Sequence, residues 1–212
     1  MSKSIYSLVL MDDLVNEVDR LAYANGTSRS NMVNRILAEH FSLATPERRN
    51  RDIFSHMHEL ISACRDLHAT ASASERAISM KSVLSYKYNP TVRYNVVLYP
   101  TASNTFGELR VIFRTQNAAL LETVTQFFIM WAKLDRAYSD VSFKIEEGKL
   151  TRVLNVIQGA TNEQLAQATS SYIELFDSAL KLFFENRANY ALAFSRVEAL
   201  YRNYLSNNPR RV

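Results

Sequence analysis

Cysteine, glycine and proline are all scarce in this chain, with one, four and four copies in 212 residues. Long apolar stretches are missing altogether. A lone thiol, Cys64, cannot close an intrachain disulfide, and it suits a reducing compartment such as the cytoplasm. No run of about 18 apolar residues offers a membrane span, and no charged-then-apolar leader opens the chain, so neither membrane insertion nor secretion is expected. The dispersed glycines leave no loop to cradle a phosphate. A nucleophile elbow and an HExxH helix are also missing, so catalysis is not expected and no cofactor is called for. The one cluster with the look of metal ligands is His56, His58, Cys64 and His68. Cys64 and His68 share a helix face at i and i+4, but His56 and His58 point to different sides of the turn.

What remains is a chain with 47% apolar and 22% charged residues, the composition of a globular protein throughout. Its net charge of +4 permits a nucleic-acid partner without requiring one.

The most informative stretch runs from Ser4 to Phe41. A short apolar run, SIYSLVL, reads as a strand and leads into Asp12 and Asp13, whose carboxylates cap a helix start and complement its dipole. Leu14, Val18, Leu21 and Ala22 then fall on one face of a 3.6-residue period. Gly26 supplies the positive φ that closes a helix, and Ser28 caps the next one. That second helix carries Met32, Val33, Ile36, Leu37, His40 and Phe41 as a wide apolar stripe. One strand and two such stripes bury too little surface to offset chain entropy alone, so a second copy is expected to supply the missing half of the core. A strand paired with its symmetry mate makes a two-stranded ribbon of a width that fits the DNA major groove.

In these elements, and most specifically in Gly26-Thr27-Ser28-Arg29-Ser30 followed by Met32-Val33, the chain resembles the ribbon-helix-helix family of the Arc and MetJ repressor type. The resemblance covers only about the first 45 residues. It implies an intertwined homodimer that binds double-stranded DNA, with Lys3, Ile5, Ser7 and Val9 facing the bases and Tyr6, Leu8 and Leu10 facing the core. It also implies a phosphate clamp at Ser28, Arg29 and Ser30, and a helix N-terminus has its own warrant for holding an anion. The chain departs from the family at the ribbon, where Ile5 and Val9 offer apolar contact only. Residues 1–52 hold seven Lys or Arg and seven Asp or Glu, so this region has no net positive field. Modest affinity per dimer, or reliance on several dimers, is the expected consequence.

The rest of the chain predicts an α+β fold. Domain boundaries are expected at 1–45 (ribbon-helix-helix), 46–80 (linker and connecting helix) and 81–208 (an oligomerisation or sensor domain). Arg48, Arg49 and Arg51 either touch flanking phosphates or form a solvated helix surface. Ile53 to Leu67 predicts a helix, and the following ATASASERA either a joint or its continuation. KSVLSYKY, VRYNVVLY and GELRVIFR read as antiparallel strands. Residues 81–114 hold Lys81, Lys87, Arg93, Arg110 and Arg114 against Glu108 alone. Basic and aromatic residues interleaved on a sheet can bind single-stranded nucleic acid, and an anionic ligand or acidic partner segment fits as well. Helices are expected over 115–138, 162–186 and 188–205. Between the first two, Glu146-Glu147-Gly148-Lys149 turns a hairpin, or else its second half is helical.

The combined expectation is a cytoplasmic DNA-binding transcriptional regulator whose C-terminal domain oligomerises or senses a small-molecule or protein effector. Two alternatives are an architectural protein that coats DNA with little sequence preference, and an antitoxin-like or adaptor protein that uses the ribbon-helix-helix only to dimerise.

Overall fold

The computed structural model of the chain describes residues 5–41, 45–74, 76–100, 104–209 and 212. It divides into two compact units, Met1–Arg49 and Asn50–Val212. In order, its elements are α1 (Asp12–Ala24), α2 (Arg29–His40), α3 (Pro46–Ser62), β1 (His68–Ser74), β2 (Ala77–Val83), β3 (Thr91–Leu98), β4 (Thr105–Phe113), α4 (Ala118–Arg136), β5 (Phe143–Glu146), β6 (Lys149–Asn155), α5 (Asn162–Glu185) and α6 (Tyr190–Asn207).

In the first unit, the turn between α1 and α2 is built from local chemistry. Gly26 sits at φ +59°, Thr27 N–H donates to Ala22 O at 2.9 Å and Gly26 N–H to Tyr23 O at 3.1 Å, which is the paired bonding of a Schellman close. Ser28 follows at once as the cap of α2, its Oγ accepting from Asn31 N at 3.3 Å. Val18, Ala22 and Met32 make the small core of this unit, with Leu21 and Val33 packed against it. At the start of α1 the capping residue is Met11, and no side chain caps the helix. Asp12 and Asp13 lie in the first turn, where they still complement the dipole.

The expected strand at residues 5–10 is not formed. Residues 5–11 carry no regular structure, and the first described strand begins at His68. A strand is defined by the ladder it makes, and this segment has no second backbone beside it.

In the second unit, β1–β2–β3–β4–β6–β5 form a six-stranded sheet in which every neighbouring pair is antiparallel. Val92, Tyr94, Val96 and Leu98 of β3 and Leu109, Val111 and Phe113 of β4 turn inward and pack with the buried stripes of α3, α4, α5 and α6. Alternation with period two has put one face of the sheet in the core and left the other to solvent. Gly107 is required where β4 passes β3, because a Cβ there would meet Val97 O at 2.4 Å. The expected helices over 115–138, 162–186 and 188–205 appear as α4, α5 and α6, and the hairpin at Glu146–Lys149 joins β5 to β6. Sequence expectation fails at ATASASERA, which enters the β1–β2 hairpin instead of a joint or helix. Its small residues carry little propensity of their own, so pairing with Ala77–Val83 decides their state.

A charged network lies inside this core. Arg152 of β6 and Asp135 of α4 are 1% and 0% exposed. Arg152 Nε donates to Asp135 Oδ2 at 2.8 Å, and the same carboxylate accepts from Tyr172 OH of α5 and Tyr201 OH of α6, both at 2.6 Å. Trp131 Nε1 donates in turn to Tyr172 OH at 2.8 Å, and Arg152 Nη2 to Val212 O at 2.7 Å. The Arg152 guanidinium also stacks 4.1 Å from the centre of the Tyr172 ring. Burial, reinforced by Asp135, pushes both tyrosine hydroxyls well above their ordinary range, so they stay donors.

Asp135→Ala leaves a buried guanidinium without its counter-ion and should lower stability by about 3–5 kcal/mol. The denaturant midpoint, read through the fluorescence of Trp131, the single tryptophan, checks this. Exchanging both partners, as Asp135→Leu with Arg152→Met, should cost far less. A loss below about 1 kcal/mol for Asp135→Ala would show that the pair does not hold the core together.

Candidate nucleic-acid interface

The N-terminus of α2 has the geometry of an anion seat. Ser28, Arg29 and Ser30 are all exposed, and helix geometry leaves the Arg29 and Ser30 N–H groups without an intrahelical acceptor. Ser28 Oγ is engaged in capping, whereas the carbonyl of Ser30 accepts from Asn34 Nδ2 at 2.8 Å.

Arg29 has a partner that sequence reading missed. Its Nε and Nη2 reach Asp19 of α1 at 2.6 and 2.5 Å, a two-point bond across the α1–α2 joint. The bond holds the Asp19 carboxyl below its usual range and raises the guanidinium. The guanidinium is thereby oriented and its charge partly neutralised. The sequence marks Asp19 only as a charge off the apolar stripe of α1, ten residues before Arg29, and nothing in its position pairs the two.

The expected base-facing residues are placed as follows. Lys3 lies outside the described residues. Ile5 and Val9 are 101% and 102% exposed, and Ser7 is exposed beside them. Their expected inward counterparts Tyr6, Leu8 and Leu10 are exposed as well, so no inside and outside are yet distinguished along this segment. Leu14, Ile36, Leu37 and Phe41 add to the same uncovered apolar surface within this unit.

Arg48, Arg49 and Arg51 fall in the first turns of α3. Arg48 and Arg51 are exposed, while Arg49 is half-buried, which lowers its guanidinium. Thr45 Oγ1 accepts from Arg48 N at 3.1 Å at the start of that helix.

The sheet alters the reading of the basic and aromatic stretch. Tyr94, the ring at the centre of that stretch, points into the core and donates its hydroxyl to Asp177 Oδ1 at 2.8 Å. Tyr99 donates to Glu108 Oε2 at 3.1 Å. Lys81, Arg93 and Arg110 stand on the opposite, solvent-facing side, so the basic residues and the central ring are separated by the sheet.

The His and Cys cluster is not assembled. Helix α3 ends at Ser62, and His68 belongs to β1, so Cys64 and His68 do not share a helix face. Among the described residues no group of three or more His, Cys, Asp or Glu side chains is placed to hold a metal. Cys64 instead donates to Glu174 Oε1 at 2.9 Å. Burial, that bond and the charges of Glu174 and Asp66 push the thiol up to about 12.

Among the described residues no helix is long and apolar enough to cross a membrane. Comparison with family models, curated proteins and solved structures gave no match to this chain.

Two outcomes follow from this geometry. Ser28→Ala removes the cap of α2 and should cost about 1 kcal/mol of local stability, seen as faster amide exchange in residues 29–33 with the second unit unaffected. The raised Cys64 thiol should be alkylated far more slowly at neutral pH than a free cysteine, speeding only as pH climbs toward 12. Glu174→Gln should speed it at every pH below that, and equal rates in the two proteins would remove Glu174 as a cause.

Proposed function

We propose that this chain is a DNA-binding transcriptional regulator that works as a homodimer. In the dimer, residues 5–10 of two copies pair as an antiparallel ribbon and enter the major groove, with Ile5, Ser7 and Val9 outward, joined by Lys3. The N-terminus of α2, at Ser28, Arg29 and Ser30, holds a backbone phosphate.

One observation carries this reading: among the described residues the first unit has a small core of Val18, Ala22 and Met32 with Leu21 and Val33 against it, yet leaves Ile5, Tyr6, Leu8, Val9, Leu10, Leu14, Ile36, Leu37 and Phe41 exposed. So much apolar surface on about 40 residues calls for a covering partner. A second copy supplies both that cover and the missing ladder for residues 5–10. The larger unit has its own core and is suited to oligomerise or to take up a small-molecule or protein effector.

A second reading is an architectural protein that coats DNA with little sequence preference. It is favoured by the Arg29–Asp19 bond, which weakens the clamp's field, and by an expected reading face with hydrogen-bonding capacity only at Ser7 and Lys3. Footprint length separates the two, a fixed short footprint for the regulator and one that grows with protein concentration for the coat.

Selection of bound fragments from a random DNA pool tests the proposal. Arg29→Ala should weaken binding to all sequences alike, whereas Ser7→Ala should change the preferred sequence. A wild-type protein that retains no DNA at low salt would sink the reading.

Dimerisation has its own check. Leu8→Glu places a charge in the expected paired core, so sedimentation should show a dimer for the wild type and a smaller species for the variant. Identical sedimentation would mean that residues 5–10 are not what holds the copies together.

A further inference from the structure

The solvent-facing side of the sheet has an ordered arrangement of charge. Read across the strands by register, one row runs His68, Lys81, Arg93, Ile112, Lys149 and Glu146. The next row runs Thr70, Ser79, Asn95, Arg110, Thr151 and Lys144.

Lys81 and Arg93 are therefore directly opposite each other on adjacent strands. Like charges in that position repel and cost stability, so an uncompensated pair is a poor choice for a surface that only meets water.

The remaining charges on this face are spoken for. Arg110 is held by Glu108, which also accepts from Tyr99, and Lys144 and Lys149 both reach Glu146 at 3.0 Å. Glu147 is exposed on the turn between β5 and β6. Lys81 and Arg93 have no side-chain ion pair or hydrogen bond among the described residues, and Arg114, just past the end of β4, has none either.

We propose that this face, centred on Lys81 and Arg93, is a second nucleic-acid surface that binds the phosphate backbone of duplex DNA. The chemistry around the pair selects the ligand. In the adjoining row Ser79 Oγ donates to Asn95 Oδ1 and Thr70 Oγ1 to Ser79 O, which leaves the Asn95 amide N–H groups beside the two cations, and Lys, Arg and Asn are side chains that contact phosphate and sugar oxygens. Single strands are disfavoured, because Tyr94, the aromatic ring central to a stacking platform, is buried on the other side. An acidic protein segment fits less well, since neither row carries a Tyr, Phe or Trp around which an interface could concentrate its energy, and the exposed Tyr88 lies off the sheet on the β2–β3 loop with Lys87 over its ring.

Bound phosphates offset the repulsion between Lys81 and Arg93. The identity of the polyanion rests on the DNA-binding reading of the first unit, but the site itself does not.

The test is binding of the full-length chain to a random-sequence duplex over a salt series. Lys81→Gln with Arg93→Gln removes two cations, and the slope of log affinity against log salt should fall by about 2, at about 0.9 for each phosphate that is no longer neutralised. Lys133→Ala with Arg65→Ala removes the same charge from exposed helix and loop positions and should leave the slope unchanged. An equal fall in both double variants overturns the site in favour of general charge.

Arg29→Ala is run alongside. If it changes nothing while the sheet variant loses its slope, the clamp reading fails and this site stands; the opposite result sinks this site and leaves the clamp. A third arm uses polyglutamate, and a wild type that binds it through Lys81 and Arg93 but does not bind duplex there assigns the face to an acidic protein segment instead. Removing one of two facing cations should also raise the thermal midpoint of the unbound protein slightly, so a variant that melts much lower is replaced by Arg93→Gln alone.

Discussion

The carboxylate of Asp135 is the point at which the larger unit is tied together. It reaches β6 through Arg152, α5 through Tyr172 and α6 through Tyr201, from its own place on α4. Three donors around one anion is what allows a charge to exist in a dry core. Apolar burial would hold the helices on the sheet, but it is nearly indifferent to small sliding of one stripe over another. The network is not, because its bonds fail over fractions of an ångström. It therefore fixes the register in which four elements, α4, β6, α5 and α6, meet.

Among its described residues the smaller unit has no comparable buried charge. Its joint is specified by main-chain chemistry, a Schellman close at Gly26 followed by the Ser28 cap, and by the Arg29–Asp19 bond across it. Such local devices set the angle between two helices without needing a large core. They leave the apolar side chains of residues 5–14 and 36–41 largely uncovered. A folded arrangement with so much surface in reserve is suited to completion by another chain.

How much of this is legible in the sequence depends on whether the signal is local. Periodicity locates α1, α2, α4, α5 and α6, and the turn chemistry of Gly26, Ser28 and Gly148 is visible because each acts within a few residues. The hairpin from ATASASERA is not visible, since small residues with weak preferences take their state from a neighbouring strand. The burial of Arg152 has a signal that is easily passed over, the alternation of Leu150, Arg152 and Leu154 on the inward face. The Arg29–Asp19 bond joins residues ten apart on different helices, and only the tight joint brings them together. At residues 5–10 the sequence pattern supports a strand, but a strand also needs a partner backbone, and no described strand pairs with this segment.

The strand order has a kinetic consequence. β1, β2, β3 and β4 follow one another as a meander, so each pairing closes only a short loop, whereas β6 joins β4 across the whole of α4 and β5. That closure carries the largest entropy in the sheet and belongs late in assembly. Arg152 rides on β6, so the charged network can form only once this last strand has docked. Interactions made after the rate-limiting step slow unfolding without speeding folding, which makes the buried pair a brake on the opening of a finished domain.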